Sequence, residues 1–312
     1  MSNVSITIGL ATRERPNLLS ACLESLHRLK LPRNYGINIV VVENDSKDKS
    51  SHIVREFEQQ GLPVSYQIES RIGITYARNA ILGRAIESGS RYLIYVDDDE
   101  LVPSDYLVEM MDFLSTCPSD MSAISSPVYP LYPMGTPSWI LKGRFLEPMN
   151  YVAETEVTSA ATNNLLLDLD FVKLHNLSFD HRFALSGGED THFIAQLRNC
   201  KGKVYWSPKS FVFDQLPLSK MTEKWFYKRG FRSGTTRAYI DLITKGWFVV
   251  IFKVIPLIIA QACFGLLGYI TGVLLFDKCR RVFGMRHLFT SMGKLYGLFG
   301  RLHKEYLHVH GC

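Results

Sequence analysis

Residues 92–100 read YLIYVDDDE, and this stretch decides the fold. Tyr92–Val96 is a short apolar run of strand character that stops abruptly in four consecutive acids, Asp97-Asp98-Asp99-Glu100. Working upstream, the same alternation of strand and helix signals recurs. Val64–Ile68 reads as a strand, and Thr75–Glu87 as the helix that links it to Tyr92–Val96. Ile37–Val42 is a strand ending in Glu43-Asn44-Asp45, followed by helical spacing at Ile53, Val54 and Phe57. Val4–Gly9 is the first strand, and Pro16 opens a helix through Leu19, Cys22, Leu23 and Leu26. Successive βα units predict an α/β fold with a mostly parallel central sheet and helices on both faces.

Ligands of such sheets sit beyond the carboxyl ends of the strands, so Glu43-Asn44 and Asp97–Glu100 are expected to face one crevice. Four adjacent acids repel one another unless a cation lies among them. The chemical reading is a Mg²⁺ or Mn²⁺ site that uses one or two carboxylates together with substrate phosphates. A solvated acidic turn is the plain alternative, and the position at a strand's carboxyl end favours the site. Glu189-Asp190 follows Gly187-Gly188 at the start of a helix expected from about Gly188 to Cys200. Acids there either serve the helix N-terminus or supply a general base. Arg78 lies on the third helix. Lys228, Arg229 and Arg232 are spaced to share one helical face, toward phosphate or toward lipid with equal weight. The nine histidines show no metal-ligand spacing.

Downstream, residues 127–150 are rich in Pro, Gly, Tyr and Met and read as a long loop bordering the site. An extended run near Thr162–Leu167 and strands around Val204–Trp206 and Phe211–Phe213 complete the body. The six cysteines, from Cys22 to Cys312, have no CxxC pair, which excludes the usual zinc and disulfide frameworks and fits a reducing compartment. The opening MSNVSITIGL has no basic segment before an apolar core, so no signal peptide is expected and the bulk of the chain is placed in the cytoplasm.

Charge is divided unevenly along the 312 residues. Residues 1–219 hold 20 Lys/Arg against 26 Asp/Glu, whereas residues 220–312 hold 15 against 4. A basic, apolar tail on an acidic body suggests contact with anionic lipid, and nucleic acid is not expected, since no nucleic-acid signature accompanies the charges. Residues 254–276 contain no charged side chain over 23 positions, enough to span a hydrocarbon core of ~30 Å at ~1.5 Å per residue. Basic residues flank both ends, so the run is expected to bend back at Gly265, Gly268 and Gly272 or to lie in the interface. Residues 285–307 carry Leu288, Phe289, Met292, Leu295, Tyr296, Phe299 and Leu302 at helical spacing, suited to a surface-lying amphipathic helix. A helical appendage packing these residues on the catalytic body is the bland alternative. Two regions follow: a catalytic domain over 1–240 and a membrane-associating tail over 241–312.

Several blocks in order carry a family resemblance: ITIGLATRERPNLLSACLESL (6–26), VVENDSKD (41–48), YARNA (76–80), YVDDDE (95–100), TNNLLL (162–167) and GGEDTHF (187–193). Together they resemble the inverting family 2 glycosyltransferases of GT-A fold. WSPKSFVFDQLP (206–217) followed by WFYKRGFRSGTT (225–236) resembles bacterial exopolysaccharide glucosyltransferases of the succinoglycan type. The resemblance implies a nucleotide-diphosphate sugar as donor, UDP-glucose foremost, and a polyprenyl-diphosphate-linked oligosaccharide or other glycan as acceptor. It implies Mn²⁺ or Mg²⁺ at Asp97 and Asp99, and donor contacts from Thr12, Arg15, Glu43, Asn44, Arg78, Asp97, Asp98, Lys228, Arg229 and Arg232. Asp190 matches the family's base, with Glu189 beside it. Phe213 stands in a segment where the family often has His, so Asp214 or water is left to complete the metal sphere. The rivals are a nucleotidyltransferase, which would want a glycine-rich phosphate loop that LATRERPN does not offer, and a non-catalytic membrane scaffold of the same fold.

Overall fold

The computed structural model describes residues 4–302, so the expectations for 303–307 and Cys312 fall outside the described residues. The chain begins β1 (Val4–Thr12), α1 (Pro16–His27), β2 (Tyr35–Glu43), α2 (Ser51–Gln59), β3 (Val64–Ile68), α3 (Ile74–Glu87) and β4 (Tyr92–Asp97). It continues through β5 (Glu100–Leu101), α4 (Tyr106–Thr116), β6 (Met121–Ser125), β7 (Val128–Leu131) and α5 (Ser138–Gly143). The body closes with β8 (Leu165–Asp168), α6 (Leu169–Leu174), α7 (Glu189–Asn199), β9 (Lys203–Trp206) and β10 (Val212–Gln215). Three helices end the chain: α8 (Glu223–Val249), α9 (Ile255–Leu274) and α10 (Lys278–Leu298).

The main sheet has seven strands in the order β3-β2-β1-β4-β8-β6-β9. β1 to β4 are mutually parallel, and β8 runs antiparallel between β4 and β6. Alternate residues of each strand feed opposite cores. Ile39 and Val41 join Ile6, Ile8 and Leu10 against α1, α2 and α4. Val40 and Val42 point the other way, to Ala77 and Ile81 of α3 and Phe193 and Leu197 of α7. Burying both faces is what makes these strands near-continuous apolar runs.

A second, three-stranded sheet, β5-β10-β7, replaces part of the loop expected over 127–150, which also holds α5. Pro130 lies in β7, which is an edge strand of this sheet and tolerates a missing donor. The small sheet closes over the acid run, because Asp214 of β10 pairs with Glu100 of β5.

The tail differs from the bent-back run that was one expectation for it. Gly246 is non-helical (φ 76, ψ 169) and turns the axis between α8 and the helix that follows. Contacts along α10 rise in step with α8, from Gly230 beside Arg286 to Gly297 beside Thr235. Against α9 they run in opposite order, Gly272 beside Arg281 and Gly265 beside Leu288. Three helices therefore pack side by side, α10 parallel to α8 and antiparallel to α9. The glycine cluster Gly265/Gly268/Gly272 is a packing seam and not a hinge: it lies inside one unbroken helix and lets the backbones meet. α10 is likewise no free amphipathic helix, since Val282, Gly284, Ser291, Gly293 and Leu298 are buried in the bundle. Residue 240 falls within α8, whose first half packs on the catalytic body through Phe226 against Trp139 and Tyr239 against Phe183.

Candidate active site

Parallel register brings three strand ends together. Thr12 is paired with Glu43, and Ala11 with Asp97, so the ends of β1, β2 and β4 open into a single crevice. Glu43 is fully buried, its carboxylate accepting from the Glu14 amide at 3.4 Å and from the Tyr66 hydroxyl at 3.4 Å. Asn44 spends its side chain on backbone: its amide donates to Glu69 and Arg71 carbonyls, and its oxygen accepts from the Gly73 amide at 2.8 Å. These bonds pin the loop that launches α3.

Part of the acid run is paired with the protein's own cations. Asp98 turns inward, 3% exposed, to accept from the Thr12 hydroxyl at 2.7 Å and from Arg15 at 3.0 Å. Arg15 also reaches Asp99 at 3.2 Å, and Lys220 stands 3.9 Å from the same carboxylate. Thr12 is thus engaged with Asp98, and Arg15 with Asp98 and Asp99. Burial pushes Asp98 up to about 7 even with Arg15 opposing it. Glu100 turns back to accept from the Asp97 amide at 2.8 Å, its other oxygen is buried without a partner, and burial beside Asp97 holds its carboxyl well above the usual range.

Asp97 remains the open member, its side chain 38% exposed, with Arg78 at 3.4 Å. Arg78 is 6% exposed and bridges the two acidic elements, pairing with Glu189 on its other side. Glu189 is 2% exposed and keeps one oxygen unpartnered; burial lifts it to about 7 against the pull of Arg78. Asp190, the next residue, is half-buried at the start of α7 and accepts from the Thr191 amide. The turn into α7 depends on Gly188 (φ 87), where a Cβ would meet Thr236 of α8 at 2.8 Å. That contact seats α8 across the mouth of the site.

Arg232 lies one helical turn before Thr236 on α8, and Arg229 stacks on Trp225 at 5.0 Å while its charge acts on Asp214. Lys228 and Arg229 are both exposed and Arg232 is half-buried. Asp214 has a buried, unpartnered oxygen and is raised to about 6, by burial first and by Asp99 next. Among the described residues, no three His, Cys, Asp or Glu groups converge on one cation position. Beside Asp99 opens a cleft of about 360 Å³, walled by Leu18, Tyr132, Pro133, Leu216 and Pro217 with Gln215 at its side. Sequence reasoning missed Lys220, Tyr66 and Gln215. Only Tyr66, on the strand beside Glu43, carried a positional hint; Gln215 meets Asp99 from β10, and Lys220 from the turn that follows it.

A doubly covered, mostly parallel sheet with an acidic strand end and a Glu-Asp pair facing it defines a GT-A-type glycosyltransferase fold. Residues 7–157 match the profile of glycosyl transferase family 2. It is 29% identical over 232 residues to the succinoglycan biosynthesis protein ExoM of Rhizobium meliloti, covering 74% of this chain and 73% of that protein. The mannosyltransferase PcManGT of Pyrobaculum calidifontis, solved with GDP-Man and Mn²⁺, aligns at a TM-score of 0.65 and 15% identity over 95% of this chain and 87% of that one. Residues 1–349 of TarS from S. aureus, solved with UDP-GlcNAc, align at 0.55 and 14% identity over 96% and 93%. The chain spans 55% of a longer TarS structure. These two structural likenesses show the fold.

Proposed function

We propose that the protein is an inverting, metal-dependent glycosyltransferase at the cytoplasmic face of a membrane. It moves a sugar from a nucleotide-diphosphate donor, UDP-glucose foremost, to a hydroxyl of a lipid-linked glycan in exopolysaccharide assembly. The observation that carries this reading is the crevice itself, where an open Asp97 carboxylate and an unpartnered Asp214 oxygen share the field of Asp99 and of Arg229 on α8.

Asp97, Asp99 and Asp214 fit a divalent cation, because Asp97 is open, Asp214 keeps an unpartnered oxygen, and such ions take one or two carboxylates plus phosphate oxygens. When bound, Mn²⁺ or Mg²⁺ would neutralise charge on the departing diphosphate. By the family resemblance, Arg229 and Arg232 would contact the same diphosphate and Glu43 the nucleobase. Arg78 holds Glu189 and Asp97 in register. Glu189 is spent on that ion pair, so Asp190, half-exposed beside it, is the base that takes the proton from the acceptor hydroxyl. The hydroxyl oxygen forms the new bond to the anomeric carbon as the bond to the diphosphate oxygen breaks, and configuration inverts. Nuclear magnetic resonance of the product tests this: an α-linked donor should give a β-anomeric coupling, and an α-linked product would overturn the reading.

A further inference from the structure

We propose that the outer face of α9, together with the turn at Gly246, is a seat for an anionic lipid bilayer, on which α9 lies in plane without crossing. This deepens the membrane side of the reading above and does not depend on the sugar-transfer chemistry.

α9 buries one narrow stripe, Ile258, Gly265 and Gly272, spaced seven residues apart along a single side. Elsewhere it is apolar and bare, with Phe264, Leu267, Ile270 and Leu274 between 45% and 71% exposed. The preceding turn adds Trp247 and Phe252, 56% and 65% exposed. A contiguous apolar surface of this length on a soluble fold marks a contact with another apolar phase.

Two observations select lipid as that phase. Both ends of the face are basic: Lys253 precedes it and Lys278 and Arg280 follow, all exposed, in a region with 15 Lys/Arg against 4 Asp/Glu. Anionic headgroups complement that pattern, whereas two copies of this face in contact would bring like charges together. The Trp247 ring at the edge of the strip is also suited to the headgroup level.

The opposite side of α9 shows why it does not cross. A Cβ at Gly272 would fall 2.4 Å from the Arg281 amide nitrogen, and one at Gly265 would fall 2.8 Å from the Gly284 carbonyl oxygen. Gln261 accepts from Lys294 at 2.6 Å and lies 3.1 Å from His287. A spanning α9 would either tear this seam or carry Arg281, Arg286 and Lys294 of α10 into hydrocarbon, where charged groups are strongly disfavoured. Lying in plane keeps α10 and its charges on the protein side.

Full-length protein floated with phosphatidylcholine vesicles, with and without phosphatidylglycerol, tests the proposal in the absence of any sugar donor. Binding should require the anionic lipid and weaken with added salt. Leu267→Glu and Ile270→Glu, both at exposed positions, should each cut binding roughly tenfold or more with unchanged thermal unfolding. A membrane-impermeant amine reagent outside sealed vesicles should label Lys253 and Lys278 alike. Labelling of one flank only would mean a crossing. Equal binding to neutral vesicles, or a lipid-indifferent dimer broken by Leu267→Glu, would overturn the assignment of this face to anionic lipid.

Discussion

Gly284→Ala adds a single methyl group to α10, and two opposing effects decide its sign. Alanine is favoured over glycine within a helix by ~1 kcal/mol, so the change would stabilise an isolated helix. At Gly284, however, the new Cβ would fall 2.3 Å from the Tyr269 amide nitrogen and 2.5 Å from the Gly265 carbonyl oxygen. Both atoms are backbone, so no side-chain rotamer relieves the clash and α10 must move away from α9. Overpacking of this kind costs ~1–3 kcal/mol, and separation along the seam adds lost packing at Gly272 and Gly268. The net expectation is a loss of ~1–2 kcal/mol, seen as a fall of roughly 2–6 °C in the unfolding midpoint by circular dichroism. Gly83→Ala in α3 is the control, because its Cβ would meet nothing within 4 Å and the propensity gain should appear alone. If Gly284→Ala raises the midpoint as Gly83→Ala does, the close packing of α10 on α9 is wrong.

Asp190→Asn should bind donor nearly normally yet lose ~10²–10⁴-fold in turnover, as measured by steady-state kinetics. Glu189→Gln should instead weaken donor binding by loosening Arg78, so a turnover defect confined to Glu189→Gln would move the base by one residue. Burial raises Glu189 to about 7, so the folded protein holds a proton that the unfolded chain releases near pH ~4.5. This group's contribution to stability is therefore greatest below the unfolded value and declines as pH rises through about 7. Denaturant melts of Glu189→Gln against wild type between pH 5 and 8 should show that slope reduced, and parallel curves would contradict it.

The βα body was legible because its strands and helices have different apolar periods. Val64–Ile68 stands as expected, and Pro16 and Glu87 mark the ends of α1 and α3. Of the second sheet only β10 was legible, as the strand around Phe211–Phe213; β5 and β7 have two and four residues, too few for a period to show, and Pro130 disguises one of them. The antiparallel insertion of β8 is a long-range pairing that no local pattern encodes. At the site, the acid run and the Glu189-Asp190 pair were visible as residue types, but their partners were not. Arg15 lies 83 residues from Asp98 in sequence and Arg78 lies 111 from Glu189, so the neutralisation of both acids depends on the folded sheet. The tail glycines illustrate the same point, since the spacing that permits a bend also permits two backbones to touch.

The most direct measurement is nucleotide release from a panel of nucleotide sugars by the purified protein with a lipid-linked glycan acceptor, with Mn²⁺, with Mg²⁺ and with EDTA, alongside Asp99→Ala. The account predicts acceptor-dependent release from one donor, UDP-glucose foremost, abolished by chelator, restored by metal and lost in Asp99→Ala together with donor affinity. Undiminished release in EDTA, or no release from any sugar nucleotide with metal and acceptor present, would contradict it.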